Sequence, residues 1–255
     1  MQPRFQDHTG LLSSEDPAPF ALTHGGGGWL FSVEHGGHAV PRALGFLGLE
    51  TRDLTRHIGW DPGAAALARV LARMMDADLI IQPYSRLVVD CNRPRGAADI
   101  AALVSDGTVI PGNAKLTEAA LDARWEAIHV PFHARLADLC DMANRRGLIS
   151  IHSYDPQRHS DPARRPWPIG LLFRQANPLA EQMARRLSSR AEALPLGINE
   201  PYRIEDASDY TIPVHAEPRG LPHVLVEVRN DHLATPLGVN RMAQVLADAL
   251  SQTGE

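Results

Sequence analysis

Three histidines stand at the ends of two apolar segments of this chain. His35 and His38 flank a pair of glycines that follows Trp29-Leu30-Phe31, and His152 ends a second run that begins at Leu148. Short apolar runs predict buried strands, and open α/β sheets bind their ligands just beyond the carboxyl ends of such strands. The two glycines predict a sharp turn at the first strand end. Because imidazole nitrogens are common zinc ligands, the histidines predict a metal site shared by two strand ends.

The last apolar run of the chain, residues 223–229, carries an acid in its middle. Side chains alternate along a strand, so Glu227 shares a face with Leu225 and Arg229, and three valines occupy the other face. A carboxylate is costly to bury without a partner. Glu227 is therefore expected either to pair with an arginine or to lie in a solvent-filled cleft. In a cleft beside a metal, it would serve as the general base that removes a proton from water.

The composition is typical of one large globular domain. The chain has 255 residues, of which 44% are hydrophobic and 22% charged, and a formal net charge of -5. This charge argues against nucleic-acid binding, which requires a basic face. No apolar run approaches the roughly 18 residues of a membrane span. Two cysteines, Cys91 and Cys140, are too few for a disulfide framework, and the N-terminus lacks a signal peptide pattern, so we predict a cytoplasmic location.

Apolar runs and helical periodicity alternate along the chain, which predicts an α/β fold. We expect an N-terminal arm over residues 1–28. A single catalytic domain over residues 29–255 would contain a mixed, mostly parallel sheet flanked by helices. The predicted strands are residues 29–31, 79–81, 87–89, 148–152, 169–173 and 223–229. Helices are expected after Asp61-Pro62, before residue 146, after Asn177-Pro178 and at the C-terminus, and irregular structure over 95–116 and 195–221.

Two prolines bear on where these helices begin and end. Asp61 followed by Pro62 is typical of a helix start, with the aspartate as cap and the proline in the first turn. Leu67 and Leu71 then begin an apolar helix face. Pro131 is expected to break or kink the long helical region that precedes residue 146.

Five short motifs follow one another in a fixed order along the chain. They are Glu34-His35-Gly36-Gly37, His57-Ile58-Gly59-Trp60-Asp61-Pro62-Gly63-Ala64, Ser85-Arg86-Leu87-Val88-Val89-Asp90-Cys91-Asn92-Arg93-Pro94, Ile151-His152-Ser153 and Val226-Glu227-Val228-Arg229. Together they resemble the motifs of the N-formylglutamate amidohydrolases, over about residues 29–250. The resemblance implies a zinc-dependent hydrolase with a fold related to the zinc carboxypeptidases. It also implies hydrolysis of an N-acyl amino acid, typically N-formyl-L-glutamate to glutamate and formate in histidine breakdown.

The resemblance also implies roles for particular residues. His35 and His152 would be zinc ligands, and Glu227 the general base. The third ligand stays open between Asp61 and His38, since His38 takes the fourth position of the carboxypeptidase pattern His-x-x-Glu. Asn92 and Arg93 match the pair that binds a substrate carboxylate and polarises the carbonyl in carboxypeptidase-like enzymes.

Other residues are weaker candidates for substrate contact. Arg86 would supply a second carboxylate contact or a salt bridge to Asp90, and Tyr202 would cap the pocket. His215 would orient a ligand or the substrate, and Arg229 belongs to the Glu-x-Arg motif. The remaining histidines, His129 and His133 among them, are most simply surface or packing residues.

Two further functional classes remain open from the sequence. One is an amidase or carboxypeptidase of the same fold that acts on another acyl amino acid or a peptide. The other is a binding protein that holds a metal but has no turnover, which the intact Glu227 argues against. For an enzyme of either substrate range the expected partner is a small acyl amino acid, and neither nucleic acid nor membrane binding is predicted. The sequence gives no oligomeric state.

Overall fold

The computed structural model describes residues 9–175, 177–190 and 194–251. Residues 1–8 of the predicted arm therefore lie outside the described residues. The strands within this part of the chain are β1 Ala21–Thr23, β2 Trp29–Val33, β3 Asp78–Ile81, β4 Val104–Ser105, β5 Thr108–Val109, β6 Gly147–Tyr154, β7 Ile169–Leu172, β8 Leu196–Ile198 and β9 His223–Arg229. The α-helices are α1 Thr51–Leu54, α2 Ala64–Met75, α3 Glu118–Arg124, α4 Val130–Cys140, α5 Pro178–Ser188 and α6 Pro236–Leu250. Two π-helical segments, Trp125–His129 and Ile212–Ala216, complete the main helical elements.

Seven strands form one mixed sheet in the order β1-β3-β2-β6-β9-β7-β8. The central strands β3, β2, β6 and β9 are parallel, β1 and β7 run antiparallel to their inner neighbours, and β8 is parallel to β7. The predicted architecture, a single domain with a mostly parallel mixed sheet, is confirmed. Since parallel strands end at the same edge, β2, β6 and β9 place their carboxyl-terminal residues side by side.

Helices cover both faces of the sheet. The face that includes Val224 and Val226 packs against α2, α5 and α6. The opposite face, which includes Leu225, packs against α3, α4 and the buried loop residues 87–91. The alternation predicted for the last strand is therefore confirmed, and Glu227 lies on the face covered mainly by loops, where a cavity can form.

Five of the six predicted strands match closely, but residues 87–89 do not form a strand. These residues are buried as predicted, but side chains rather than a neighbouring strand form hydrogen bonds with their backbone carbonyls. The carbonyl of Leu87 accepts a hydrogen bond from Asn113 at 2.9 Å, and that of Val88 accepts one from Arg124 at 3.0 Å. An apolar run alone does not show whether a neighbouring strand or a side chain supplies these partners.

The short edge strands β1 and β8 were not predicted. β1 lies in the predicted N-terminal arm, and β8 lies in a segment expected to be irregular. Each has only three residues, which is too short for a period-two pattern. Because β1 pairs with β3, part of the predicted arm joins the sheet of the main domain.

The helix after Pro62 begins later than predicted. The cap residue of α2 is Gly63, in a left-handed conformation, and no side chain caps the helix. The prediction that Asp61 caps this helix is wrong, because its carboxylate lies among the histidines described below. Pro131 was expected to break or kink the helical region, and the structure shows no break there. The helical path continues from Glu118 to Cys140 and widens into the π-helical segment just before Pro131, where the missing N–H removes a ladder bond in any case.

The turn after β2 requires glycine because another backbone segment lies very close to it, and not because of a positive φ angle. Gly36 and Gly37 do not have positive φ values. A Cβ atom on Gly37 would lie 2.2 Å from the carbonyl oxygen of Pro83, so only glycine allows this approach. The close contact lets the N–H of Ala39 donate to the same carbonyl at 3.1 Å.

No helix within the described ranges is both long enough and apolar enough to cross a lipid bilayer.

A buried ion pair holds the amino-terminal end of β2. Arg145 donates to Asp78 at 2.9 Å, and both side chains are about as buried as core residues, at 3% and 4% exposure. The same guanidinium donates to the carbonyls of Gly28 and Trp29. This network ties the chain entering β2 to the start of β3.

Replacing Arg145 with leucine is expected to lower the free energy of unfolding by about 3–5 kcal/mol, because Asp78 is left as a buried charge without its arginine. Urea denaturation followed by circular dichroism measures this change. The control is Arg135→Leu, which removes an exposed pair with Asp138 and should cost less than about 1 kcal/mol. Equal effects of the two substitutions would contradict the proposed role of Arg145.

Candidate metal centre and active site

The ends of the parallel strands bring the chemical groups together. His35 is the second residue after β2, His152 lies near the end of β6, and Glu227 is the register partner of His152 on β9. Asp61 joins them from the loop before α2, where its backbone N–H donates to the carbonyl of His35 at 2.9 Å. Residues from four separate parts of the sequence therefore meet at one edge of the sheet.

His35, Asp61 and His152 form a buried cluster suited to a metal ion. One ligand atom from each lies within 4.8 Å of the others. The Nδ1 atoms of both imidazoles face the same Asp61 oxygen, at 3.5 Å for His35 and 2.9 Å for His152. Nδ1 of His35 is buried without a hydrogen-bond partner, so it has a lone pair available. Two imidazole nitrogens and one carboxylate are a ligand set that zinc accepts, with a further position for water.

Buried carboxylates hold the outer nitrogens of both histidines. Nε2 of His35 lies 2.7 Å from Asp90, and Nε2 of His152 lies 3.0 Å from Glu34. With its Nε2 hydrogen donated to a carboxylate, each ring presents Nδ1 to the metal position. This arrangement fixes the tautomer and the orientation of metal-binding histidines in many proteins.

Glu34 is itself fully hydrogen-bonded. Its two oxygens accept bonds from the hydroxyls of Ser150 at 2.8 Å and Thr211 at 2.9 Å. Burial by itself raises the pKa of Glu34, but the hydrogen bond and positive charge of His152, together with the hydroxyl hydrogen bonds, outweigh burial and lower the pKa to about 2. Glu34 is thus an anion, and it raises the pKa of His152 against the opposing effect of burial. The pKa of His35, by contrast, is lowered to about 3 by burial and by the positive charge of Arg86.

Asp61 is held by three neighbours besides the two histidines. It accepts a hydrogen bond from the backbone N–H of Ser153 at 3.2 Å and pairs with Arg86, and Nε2 of His57 lies 3.4 Å away. The predicted salt bridge between Arg86 and Asp90 is therefore replaced by one between Arg86 and Asp61. These contacts fix the carboxylate in the direction of the two Nδ1 atoms.

His38 does not reach this cluster. It is exposed, and its ring packs beside Trp60 with a centroid distance of 4.9 Å. Of the two candidates for a third ligand, the structure brings Asp61 to the two histidines.

A cavity of about 640 Å³ opens over the cluster. This volume lies within the usual range for small-molecule sites. Of the residues predicted to act in the site, those that line the cavity are His35, Asp61, Arg86, Asn92, Arg93, His152, Tyr202 and Glu227. His215 and Arg229 are absent from this lining. His215 bonds to His133, and Arg229 pairs with Asp231 at 2.8 Å.

Glu227 faces the cavity with an unpaired oxygen. The residue is 7% exposed, and its Oε2 atom is buried without a hydrogen-bond partner. Burial raises the pKa of this carboxyl to about 7. The alternative of a direct ion pair between Glu227 and an arginine is therefore not what the structure contains. A carboxylate with a pKa near neutrality is well matched to proton transfer.

Asn92 and Arg93 line the cavity through a loop with many contacts. The side-chain oxygen of Asn92 accepts hydrogen bonds from the backbone N–H groups of Tyr210 and Thr211, at 3.2 and 3.0 Å. Arg93 donates to Asp99 at 2.9 Å and also to the carbonyl of Ser208. The Asn92 amide is thus largely used in holding the loop, whereas the Arg93 guanidinium lies at the cavity wall.

Sequence reasoning missed the roles of Glu34 and Asp90. The sequence did contain an indication that both are buried, because each is an acid that directly follows an apolar run. Glu227 similarly lies within an apolar run. A buried acid requires a partner wherever it occurs. The sequence does not show which histidine each acid would meet.

Comparisons with known proteins agree with these features. The family model of N-formylglutamate amidohydrolase matches residues 27–234. The crystal structure of a gene product of Agrobacterium tumefaciens is 33% identical, with a TM-score of 0.88 over 96% of this chain and 100% of the other. An N-formylglutamate amidohydrolase from Ralstonia eutropha JMP134 is 19% identical and has a TM-score of 0.67 over 92% of this chain and 96% of that one, which shows a shared fold.

No curated protein sequence in the comparison matches the chain. The family model nevertheless matches most of the chain's length, a range that contains the five motifs. The chain therefore belongs to the N-formylglutamate amidohydrolase family.

Proposed function

We propose that this protein is a zinc-dependent amidohydrolase that cleaves N-formyl-L-glutamate to L-glutamate and formate. The observation that carries the proposal is the unpaired Glu227 carboxylate in the same cavity as the buried set of His35, Asp61 and His152. A base beside a metal position is the arrangement that metal-assisted hydrolysis requires. A place in histidine breakdown is part of the proposal, since the motif resemblance implies it. So is a cytoplasmic location, which the two cysteines favour.

Glu227 is the proton carrier in the proposed reaction. A zinc ion, when bound, acts as a Lewis acid and lowers the pKa of a water molecule toward about 7. Glu227 accepts a proton from the attacking water, and the C–N bond of the formamide breaks as the same carboxyl returns the proton to the leaving nitrogen. The immediate products are formic acid and the neutral amine of glutamate, and transfer of the acid proton to the amine gives formate and an ammonium group, so atoms and charges balance.

Arginines on the cavity wall match an acidic substrate. Arg93 has its guanidinium at the wall and is proposed to hold one carboxylate of the substrate, because a planar guanidinium suits this group. Arg86 lines the same cavity, pairs with Asp61 and is proposed to stabilise negative charge that develops on the scissile carbonyl. Asn92 and Tyr202 complete the proposed contacts. Because His215 and Arg229 lie outside the lining, the proposal gives them no substrate contact.

A related amidase activity is the second candidate. A cavity of about 640 Å³ has room for a larger acyl group than formyl. The alternative is an enzyme with the same metal centre and the same base that acts on another N-acyl amino acid.

We expect purified protein to release formate from N-formyl-L-glutamate, to lose this activity after chelation and to regain it when zinc is added back. The reason is that the three buried ligands need a cation to activate water. A formate-specific coupled assay measures the product. A parallel panel with N-acetyl and longer N-acyl glutamates separates the second candidate. Activity that survives complete metal removal would contradict the proposal, as would stoichiometric zinc without turnover of any panel member.

The substitution Glu227→Gln is expected to lower kcat by about 10²- to 10⁴-fold, because it removes the proton acceptor while keeping a similar shape. Zinc content and the melting temperature should stay close to those of the unsubstituted protein. The matched control is Glu181→Gln, which neutralises an exposed acid on α5 and should leave kcat unchanged. Near-normal turnover in Glu227→Gln would show that another group is the base.

The pH profile provides a second readout for the same residue. Glu227 accepts a proton only as the carboxylate, so kcat/KM should fall tenfold per unit as the pH drops below its pKa. Burial raises this pKa from 4.5 to about 7, and a cation in the metal centre acts in the opposite direction. We expect the midpoint of the acid limb to lie between these two values. A midpoint at or below 4.5 would contradict the role of burial.

A further inference from the structure

Three histidines outside the cavity form a buried cluster under the loop of residues 90–93. His129 ends the first π-helical segment, His133 lies one turn later in α4, and His215 belongs to the second π-helical segment. Their exposed fractions are 1%, 5% and 3%. We call these three residues the histidine cluster. None of them lines the cavity, so the proposed reaction does not use them directly.

The hydrogen bonds of the cluster end on the backbone of the loop. Nε2 of His129 lies 3.1 Å from the carbonyl oxygen of Arg93, and Nε2 of His133 lies 2.6 Å from that of Cys91. A carbonyl oxygen only accepts, so each Nε2 must carry the hydrogen. The two rings are therefore donors to alternate residues of one short loop.

His215 donates a hydrogen bond to His133 and thereby supports the tautomer that the Cys91 carbonyl requires. Because Nε2 of His133 carries the hydrogen, its Nδ1 atom has a lone pair, which accepts a bond from Nε2 of His215 at 2.9 Å. The two rings lie parallel, with centroids 5.1 Å apart. All three histidines are neutral, since burial lowers the pKa of His129 to about 3 and that of His215 to about 4.

The loop held in this way joins the metal centre to the substrate side of the cavity. Asp90 at its start bonds to His35, and Arg93 at its end lies at the cavity wall. The Arg93 guanidinium can meet a carboxylate only if its backbone keeps the same position, because a misplaced contact loses much of its binding energy. The loop has no strand partner. Side-chain hydrogen bonds to its carbonyls therefore add to the backbone bonds from Asp90 to Ile100 and from Arg93 to Asp90.

We propose that His129 and His133 are positioning residues, which hold the Arg93 and Cys91 carbonyls and thereby place Arg93 for binding a substrate carboxylate. The carboxylate-binding part of this inference rests on the proposed function. The holding of the loop does not. π-Helical segments are often found at functional sites, and here both of them contribute a ring to the cluster.

Two substitutions at one position test the inference. His129→Leu removes the donor, whereas His129→Gln keeps an N–H donor near the position of Nε2. The control is His223→Leu, which removes a histidine–carbonyl bond of 2.7 Å at the opposite end of β9. The readouts are hydrogen–deuterium exchange of the Asn92 and Arg93 amides in the zinc-loaded protein, and separate values of KM and kcat for N-formyl-L-glutamate.

For His129→Leu we expect about tenfold faster exchange of the two loop amides and about a tenfold higher KM, as for the loss of one hydrogen bond, with kcat little changed. His129→Gln and His223→Leu should stay within about threefold of the unsubstituted protein in both readouts. Unchanged exchange and KM in His129→Leu would overturn the inference. So would equal effects of the leucine and glutamine substitutions at equal folding stability.

A measurement on the unsubstituted protein covers the case in which His129→Leu does not fold. Nitrogen-15 NMR of the histidine rings at about pH 6 should show His129 and His133 as neutral rings with the hydrogen on Nε2. A charged ring, or one with the hydrogen on Nδ1, would overturn the inference. If no formate is released by the unsubstituted protein, the proposed function fails, whereas the exchange and NMR results still decide whether the cluster holds the loop.

Discussion

The structure depends on the pairing of buried imidazoles with buried carboxylates at the ends of adjacent parallel strands. Taking a carboxylate out of water is costly, and Glu34, Asp61 and Asp90 are all nearly inaccessible. Each is stabilised because a histidine nitrogen or an arginine lies within hydrogen-bond distance. The same pairing leaves the two Nδ1 atoms directed at one Asp61 oxygen. The contacts that stabilise the buried carboxylates therefore also set the geometry of the candidate metal centre.

The strand ends and the final strand were accessible from the sequence, because period and position are local properties. The strand parity of residues 223–229 put Glu227 on the same face as Leu225, and this face lines the cavity. The apolar runs before His35 and His152 placed both histidines at one sheet edge. Partnership between distant residues was not accessible. Nothing local separates Asp61 as a helix cap from Asp61 as a ligand, and nothing shows that Asn113 and Arg124 satisfy the backbone of residues 87–89 in place of a strand.

The loop of residues 90–93 connects the candidate metal centre to the histidine cluster. It supplies Asp90 to His35 and Arg93 to the cavity wall, and buried histidines donate hydrogen bonds to its backbone carbonyls. A loop without strand partners keeps its place only through such contacts. The histidine cluster would thus affect substrate binding by positioning Arg93. The proposed metal centre would affect turnover through the charge of its ion. The two effects appear in different kinetic parameters.

The most direct test of the metal centre is a crystal structure of the zinc-loaded protein with diffraction data collected on both sides of the zinc absorption edge. The account predicts one anomalous peak bonded to Nδ1 of His35, Nδ1 of His152 and the Asp61 carboxylate. The outer nitrogens should stay on Asp90 and Glu34. A peak bonded to His38, or to Nε2 of either histidine, would contradict the account.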